Sequence, residues 1–353
     1  MSLAYDVIPV TIVTGFLGSG KSTLLADVLK GDAARDTAVL VNEFGEVGLD
    51  HLLMGEVEQA QTVLLDNGCV CCAIRGELKD ALAHLFSQRA RGEVPPFTRV
   101  VLETTGLATP APIVATLLGD RIVSSHYSIS AIVTVVDALN ATHQREHHPE
   151  WMGQVAAADR IVISKADLAD AEALDALELM LAALNPAARV ARRTREDDAS
   201  IVLDAAANAH DFTAFVQRAR PPSSAERNDE NPLARLNALP AHREALGSLS
   251  AFAIEFDEPI DWPVFTLWLT MLLNRHGDTI LRVKGLLALA GVAQPVVLHA
   301  VHHLVHPVLH LDAWPDATPR SRLVFIAEGL ARDAVEQSYR RFCRHLQTVE
   351  TVD

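Results

Sequence analysis

Thiols are scarce in this chain, positive charge is in deficit and long apolar runs are missing. Four cysteines in 353 residues, with no basic segment ahead of the first apolar stretch "MSLAYDVIPVTIVTGFLG", point to a reducing cytoplasmic setting rather than a disulfide-built exported protein. Thirty Lys and Arg against 45 Asp and Glu leave a formal charge of -15. Long-range repulsion then opposes nucleic acid or an anionic membrane as partner. No apolar run reaches the ~18 residues of a bilayer-spanning helix, and no internal repeat recurs.

What is present is the composition of a globular protein, 49% hydrophobic and 21% charged. The length exceeds what one core usually holds, so two domains are expected. Apolar, β-branched runs at Val7–Thr14, Thr37–Val41, Thr62–Leu65, Arg99–Leu102, Ile129–Val136 and Arg160–Ile163 read as buried strands. Helical spacing fills Ser22–Leu29, Gly76–Arg91, Ala111–Leu118 and Ala169–Leu184. Such alternation predicts an α/β domain over residues 1–219: a phosphate-loop NTPase with a mostly parallel, doubly wound sheet. The stretch "RPPSSAERNDEN" (Arg220–Asn231) has no apolar period and places a linker at 220–247. Residues 248–353 then read as a smaller α+β domain. Its strands fall at Leu249–Phe256, near Thr279–Leu289, Val296–His303 and Arg322–Ala327, and its helices at Trp262–Arg275 and Ala331–Leu346.

Gly15–Ser22, "GFLGSGKS", follows a strand and opens a helix, the context a phosphate loop needs. Gly15, Gly18, Ser19 and Gly20 let backbone N–H groups wrap a phosphate chain. Lys21 neutralises the β- and γ-phosphates, Ser22 ligates Mg²⁺ and Thr23 reaches the α-phosphate. "IVISKAD" at 161–167 ends a later strand in a guanine-reading pattern. The Asp167 carboxylate matches the guanine N1–H and N2–H₂ donor pair, which adenine lacks. Lys165 lies along the base, and Ser164 stands where Asn is commoner. "VLETTG" (101–106) ends a strand in an acid. Glu103 either holds Mg²⁺ through water or orients the attacking water, and Gly106 presents its N–H to the γ-phosphate.

Three of the four cysteines crowd into "NGCVCCAIRGEL" (67–78), and "NEFGEVGLD" (42–50) precedes them. Cys69, Cys71 and Cys72 offer a thiolate-rich tetrahedral set for Zn²⁺, with Co²⁺ and Fe²⁺ as alternatives. Three thiols are incomplete, so Glu43, Glu46, a histidine, water or a partner must supply the rest. A redox pair and plain packing are the competing readings.

Taken in order, "GFLGSGKSTLL", "NEFGEVGLD", "NGCVCCAIRGEL", "ETTGLATP" and "SKADL", followed by "LRVKGLL" and "RSRLVFI", resemble the CobW-type metal-chaperone GTPases over essentially the whole chain. The resemblance implies Mg²⁺-dependent GTP hydrolysis, GTP/GDP exchange, metal binding at C-x-C-C and delivery to a client metalloprotein. It also implies a CobW-type C-terminal domain for client contact or homodimerisation. A cobalt chaperone for a cobalamin or nitrile-hydratase-like client, and a zinc store with incidental GTPase activity, are the runners-up. A small-molecule kinase with "RRTRE" (192–196) as an arginine lid is a third. Thr109 stands where many relatives carry Asp.

Remaining features leave alternatives open. Arg75 either acts as an arginine finger or starts a helix. His143 and His147 either pair at helical spacing, as metal ligands, or sit in a loop, which Pro149 favours. In "HAVHHLVHPVLH" strand alternation puts His299 and His303 on one face, and His302 and His306 on the other. These are either an ordinary strand and turn or auxiliary ligands. Cys343 reads as core packing.

Overall fold

The computed structural model describes residues 7–30, 36–41, 61–64, 73–194, 249–315 and 319–350. The chain divides into two compact units. The expected linker at 220–247 lies outside the described residues.

The first unit is built on strands β1 (Ile8–Thr14), β2 (Thr37–Val41), β3 (Gln61–Leu64), β4 (Arg99–Glu103), β5 (Tyr127–Asp137), β6 (Arg160–Ser164) and β7 (Arg189–Arg192). They form one sheet in the order β3-β2-β4-β1-β5-β6-β7. β1 pairs in parallel with β4 and β5, β2 with β3 and β4, and β5 with β6. Every residue of β2 and β6 is buried, as strands covered on both faces must be. The helix Lys21–Lys30 lays Leu24, Leu25, Val28 and Leu29 against Val13, Val39, Val101, Val133 and Val162 of the sheet. Parallel pairing brings the carboxyl ends of β1, β2, β4, β5 and β6 to one edge: Val13 and Val41 both lie opposite Glu103, and Asp137 opposite Ser164. Ligands of doubly wound folds gather at that edge.

Three features depart from the sequence-based expectation. Helix Ala141–His147 occupies the segment read as a loop. Pro149 opens the next helix, Pro149–Ala157, at a position that tolerates proline. Its steric demand falls on His148 alone, which is extended at φ -134, ψ 102. Helix Arg121–His126 was also not foreseen; the Asp120 carboxylate caps it by accepting from the N–H groups of Ile122 and Val123. Strand β7 is the third.

The second unit carries β8 (Leu249–Phe256), β9 (Ile280–Leu287), β10 (Val296–Val301), β11 (Leu304–Val305), β12 (Leu309–His310) and β13 (Ser321–Glu328). The order is β11-β10-β9-β13-β8, with β12 also on β10, and the pairings are antiparallel. Helices Trp262–His276 and Arg332–Glu350 complete it. Phe265, Trp268, Leu269 and Leu273 from the first helix and Val335 from the second join Ile254, Val283, Leu298 and Phe325 of the sheet in one core. The Trp268 indole N–H donates to the Ser338 hydroxyl at 2.8 Å, tying helix to helix. β10 stops at Val301, and His302 takes a left-handed φ of 52. The chain therefore turns back, so the face assignment by alternation fails beyond that point. His299 and His306 come together, ring centroids 5.9 Å apart, and the His306 N–H donates to the His299 carbonyl. Cys343 is half-buried rather than in the core, lining a cavity with Tyr339.

Among the described residues, no helix is long and apolar enough to cross a membrane. Asp261 accepts a hydrogen bond from the Val264 N–H and caps the helix Trp262–His276. Asp261→Ala should lower stability by about 1 kcal/mol, read as a reduced midpoint in urea unfolding.

Candidate nucleotide and metal site

The loop from Gly15 to Gly20 joins β1 to its helix. Gly15 has φ +144, and a Cβ there would meet the Val135 carbonyl oxygen at 2.3 Å and Ser19 Oγ at 2.8 Å. Only glycine fits. Lys21 is buried, and its ammonium donates to the carbonyls of Gly15 (2.8 Å) and Phe16 (3.2 Å). The charge is thus held over the centre of the loop. The Ser22 hydroxyl donates to Glu103 Oε1 at 2.8 Å, and Glu103 is 4% exposed. A hydroxyl and a carboxylate this close are a hard-oxygen pair of the kind Mg²⁺ takes.

Gly106 sits hard against the phosphate loop. A Cβ on it would lie 2.6–2.8 Å from the Leu17 side chain, N and Cα. Gln154, fully buried, donates from Nε2 to the carbonyls of Gly106 (3.1 Å) and Ala108 (3.0 Å) and so fixes the loop after Glu103. The Thr104 N–H donates to the Val13 carbonyl, and the Thr104 hydroxyl to Thr14 Oγ1 at 2.9 Å. Thr109 packs on Gly153, where an added Cβ would come within 3.3 Å of its methyl.

The segment expected to read the base, residues 161–167, is clasped to the same loop. The Ser164 hydroxyl lies 2.6 Å from the Ser19 carbonyl and 3.2 Å from that of Val136. Lys165 is left-handed at φ 56, a conformation costing a non-glycine residue about 1–2 kcal/mol. Two contacts offset it: Nζ donates to the Gly18 carbonyl at 2.9 Å and to Asp137 Oδ2 at 2.6 Å. Asp137, 1% exposed, also accepts from the Leu139 N–H and from Asn140 Nδ2. Burial pushes its carboxyl upward, but the hydrogen bonds from Lys165, Asn140 and the Leu139 N–H outweigh that and hold it below the ordinary carboxylate range. Asp167 follows in a short 3-10 turn, exposed to solvent.

One sheet edge therefore gathers the loop residues Gly15, Gly18, Ser19 and Gly20 with Lys21, Ser22, Glu103, Gly106, Ser164 and Lys165. Glu43, Glu46, Cys69, Cys71 and Cys72 lie outside the described residues, as does the Arg75 side chain. Among the described residues, no three His, Cys, Asp or Glu side chains already converge on a metal position. Arg192 pairs with Asp175, and Arg193 with Asp27 at 2.7 Å, so both guanidinium groups are engaged; Arg195 and Glu196 of the stretch lie outside the described residues. Asp137 and Gln154 were missed in the sequence. An acid closing the apolar run "AIVTVVD" and a lone amide before "VAAAD" were the available signals.

A phosphate loop, a magnesium-type pair and a lysine-clasped base segment at the carboxyl edge of a parallel sheet define a phosphate-loop nucleotide-binding domain. Family models settle which kind. The CobW/HypB/UreG nucleotide-binding domain matches residues 9–192, and the cobalamin synthesis protein CobW C-terminal domain matches residues 249–343. The chain belongs to the CobW/HypB/UreG family and carries the CobW C-terminal domain.

It is 32% identical over 332 residues to the zinc chaperone YjiA of Escherichia coli, covering 94% of this chain and 98% of that one. It is 30% identical over 287 residues to the zinc-regulated GTPase metalloprotein activator 1 of Schizosaccharomyces pombe, covering 74% and 67%. The crystal structure of Zn(II)-bound YjiA GTPase from E. coli superposes with a TM-score of 0.65 at 25% identity, covering 95% of this chain and 99% of that one.

Two outcomes test the site. Asp137→Asn removes the charge that holds Lys165; a charge-assisted bond of about 1.5–3 kcal/mol is weakened, and GDP affinity should fall about tenfold by calorimetry. Gly106→Ala forces Leu17 away and should lower kcat for GTP hydrolysis more than it raises KM.

Proposed function

We propose that this chain is a Mg²⁺-dependent GTPase that carries zinc and hands it to a client metalloprotein. The observation that carries the nucleotide half is the Ser22–Glu103 pair at 2.8 Å beside the buried Lys21. The zinc half rests on the C-x-C-C thiols and on relatives named zinc chaperones. Those names favour zinc over cobalt.

In this reading, Lys21 exchanges the loop carbonyls for the β- and γ-phosphates, and Thr23 reaches the α-phosphate. Ser22 and Glu103 fit Mg²⁺, which when bound neutralises charge developing on the phosphates. Glu103 orients the attacking water, and the Gly106 N–H reads the γ-phosphate. Asp167 accepts from the guanine edge, while Asp137 keeps Lys165 against both the base segment and the phosphate loop. Zinc is the cargo. Cys69, Cys71 and Cys72 bind it as thiolates, with Glu43 or Glu46 completing the set. The segments at 42–50 and 65–72 follow β2, which lies beside β4, and β3, which lies beside β2, so the state of the γ-phosphate is felt where the metal is held. Residues 1–219 form the GTPase domain, 220–247 the linker and 248–353 the domain for client contact or homodimerisation. The setting is the cytoplasm.

Zinc titration against a competing chelator, with GDP and with a non-hydrolysable GTP analogue, tests the coupling. At least a tenfold difference in affinity is expected, because linkage acts in both directions; equal affinities would sink it. Lys21→Ala should abolish release of free phosphate from GTP while leaving zinc affinity without nucleotide within about twofold; Cys71→Ala should do the reverse. Ser22→Ala should raise the Mg²⁺ concentration needed for half-maximal hydrolysis about tenfold or more.

A further inference from the structure

Three of the fifteen histidines sit within six residues, in "HQREHH", and the fold places their rings in a chain. His143 and His147 are one helical turn apart on Ala141–His147, their centroids 4.3 Å apart and 29° from parallel. His148 lies 6.4 Å from His143, edge to face. On its other side His148 packs on Phe16 of the phosphate loop, centroids 4.4 Å apart. His143 and His147 are exposed and His148 is half-exposed.

We infer that His143, His147 and His148 form a second, weaker zinc site at the mouth of the nucleotide pocket. The inference deepens the zinc-carrier reading and rests on it for the identity of the ion. Two nitrogens bound at about 2.0–2.1 Å to a tetrahedral Zn²⁺ stand roughly 3.4 Å apart. The ring centroids of such a pair lie roughly 5.2 Å apart, so the exposed rings of His143 and His147, now 4.3 Å apart, open by about 1 Å through side-chain rotation to take the ion. The partner of His147 Nδ1 is the His143 carbonyl oxygen, at 2.9 Å. An oxygen acceptor requires the proton on Nδ1, which leaves the Nε2 lone pair for a metal. This is the outer hydrogen bond that metal-binding histidines use to fix their tautomer. Since, among the described residues, no three such side chains converge beforehand, the ion is taken first by the pair. His148 joins as the third imidazole when it turns off Phe16. Zinc at this site and the packing of the phosphate loop then compete for one ring. Ordering the loop weakens the site, and loading the site loosens the loop. The cluster is an open, exchange-prone station suited to receiving or passing on the cargo ion beside the switch.

The test uses the full chain with Cys69→Ser, Cys71→Ser and Cys72→Ser together, titrated with Zn²⁺ against a chromophoric chelator. One weaker zinc equivalent should remain, and metallated imidazole nitrogens should appear in ¹⁵N spectra of the histidine rings. Adding His143→Ala and His147→Ala should weaken it at least tenfold, and Phe16→Leu should tighten it about threefold by releasing His148. Circular dichroism checks the fold of each variant. If the wild-type chain binds zinc and the triple serine variant binds none, or its residual zinc ignores the histidine changes, the inference is overturned and the thiol reading stands. If the histidine site persists while the serine changes leave total zinc unaltered, the thiol reading falls instead.

Discussion

The ammonium of Lys165 lies between a buried carboxylate and a carbonyl of the phosphate loop, and the geometry of the nucleotide edge follows from that position. Asp137 ends β5 and Lys165 follows β6, so the contact bridges adjacent strand ends; Gly18 belongs to the turn after β1. One cation thus locks three loops at 2.6 and 2.9 Å. The left-handed backbone at Lys165 is tolerated because it aims the side chain at both acceptors. Asp137 can hold a full negative charge while buried because three donors converge on it. An unpaired carboxylate there would be expensive to bury.

A second clasp works on the other side of β1. Ser22 and Glu103 link the helix after the phosphate loop to the end of β4, and Gln154 fixes the carbonyls that follow. Between the two clasps the loop is supported from both flanks by contacts anchored on the buried Asp137, Glu103 and Gln154. That is the preorganisation a phosphoryl-transfer site needs, since the chemistry depends on position and charge more than on covalent participation.

The strands, the long helices and the phosphate loop were legible because each rests on a strong local signal: a β-branched run, a 3.6 period, or glycines at fixed spacing before a lysine. Short elements were not. Helix Ala141–His147 is polar on most of its surface, and Pro149 reads as a breaker until it is seen to start the next helix. The turn at His302 hides inside an apolar, histidine-rich run with no glycine to mark it. Ser19, Lys21 and Ser164 were found by motif, whereas Asp137 and Gln154 act through neighbours distant in sequence, and no local pattern encodes such partners. At Cys69, Cys71 and Cys72 the thiolate chemistry of the cluster and the family resemblance both favour a metal, while spacing alone leaves redox and packing readings open.

Gly106 and Leu17 touch so closely that neither segment has slack relative to the other. Such a contact behaves like a gear tooth: displacement of one loop becomes displacement of the other without loss in a compliant side chain. Because the close atoms of Leu17 include its backbone N and Cα, a smaller side chain at 17 would make no room for a larger residue at 106; the phosphate loop itself would have to move.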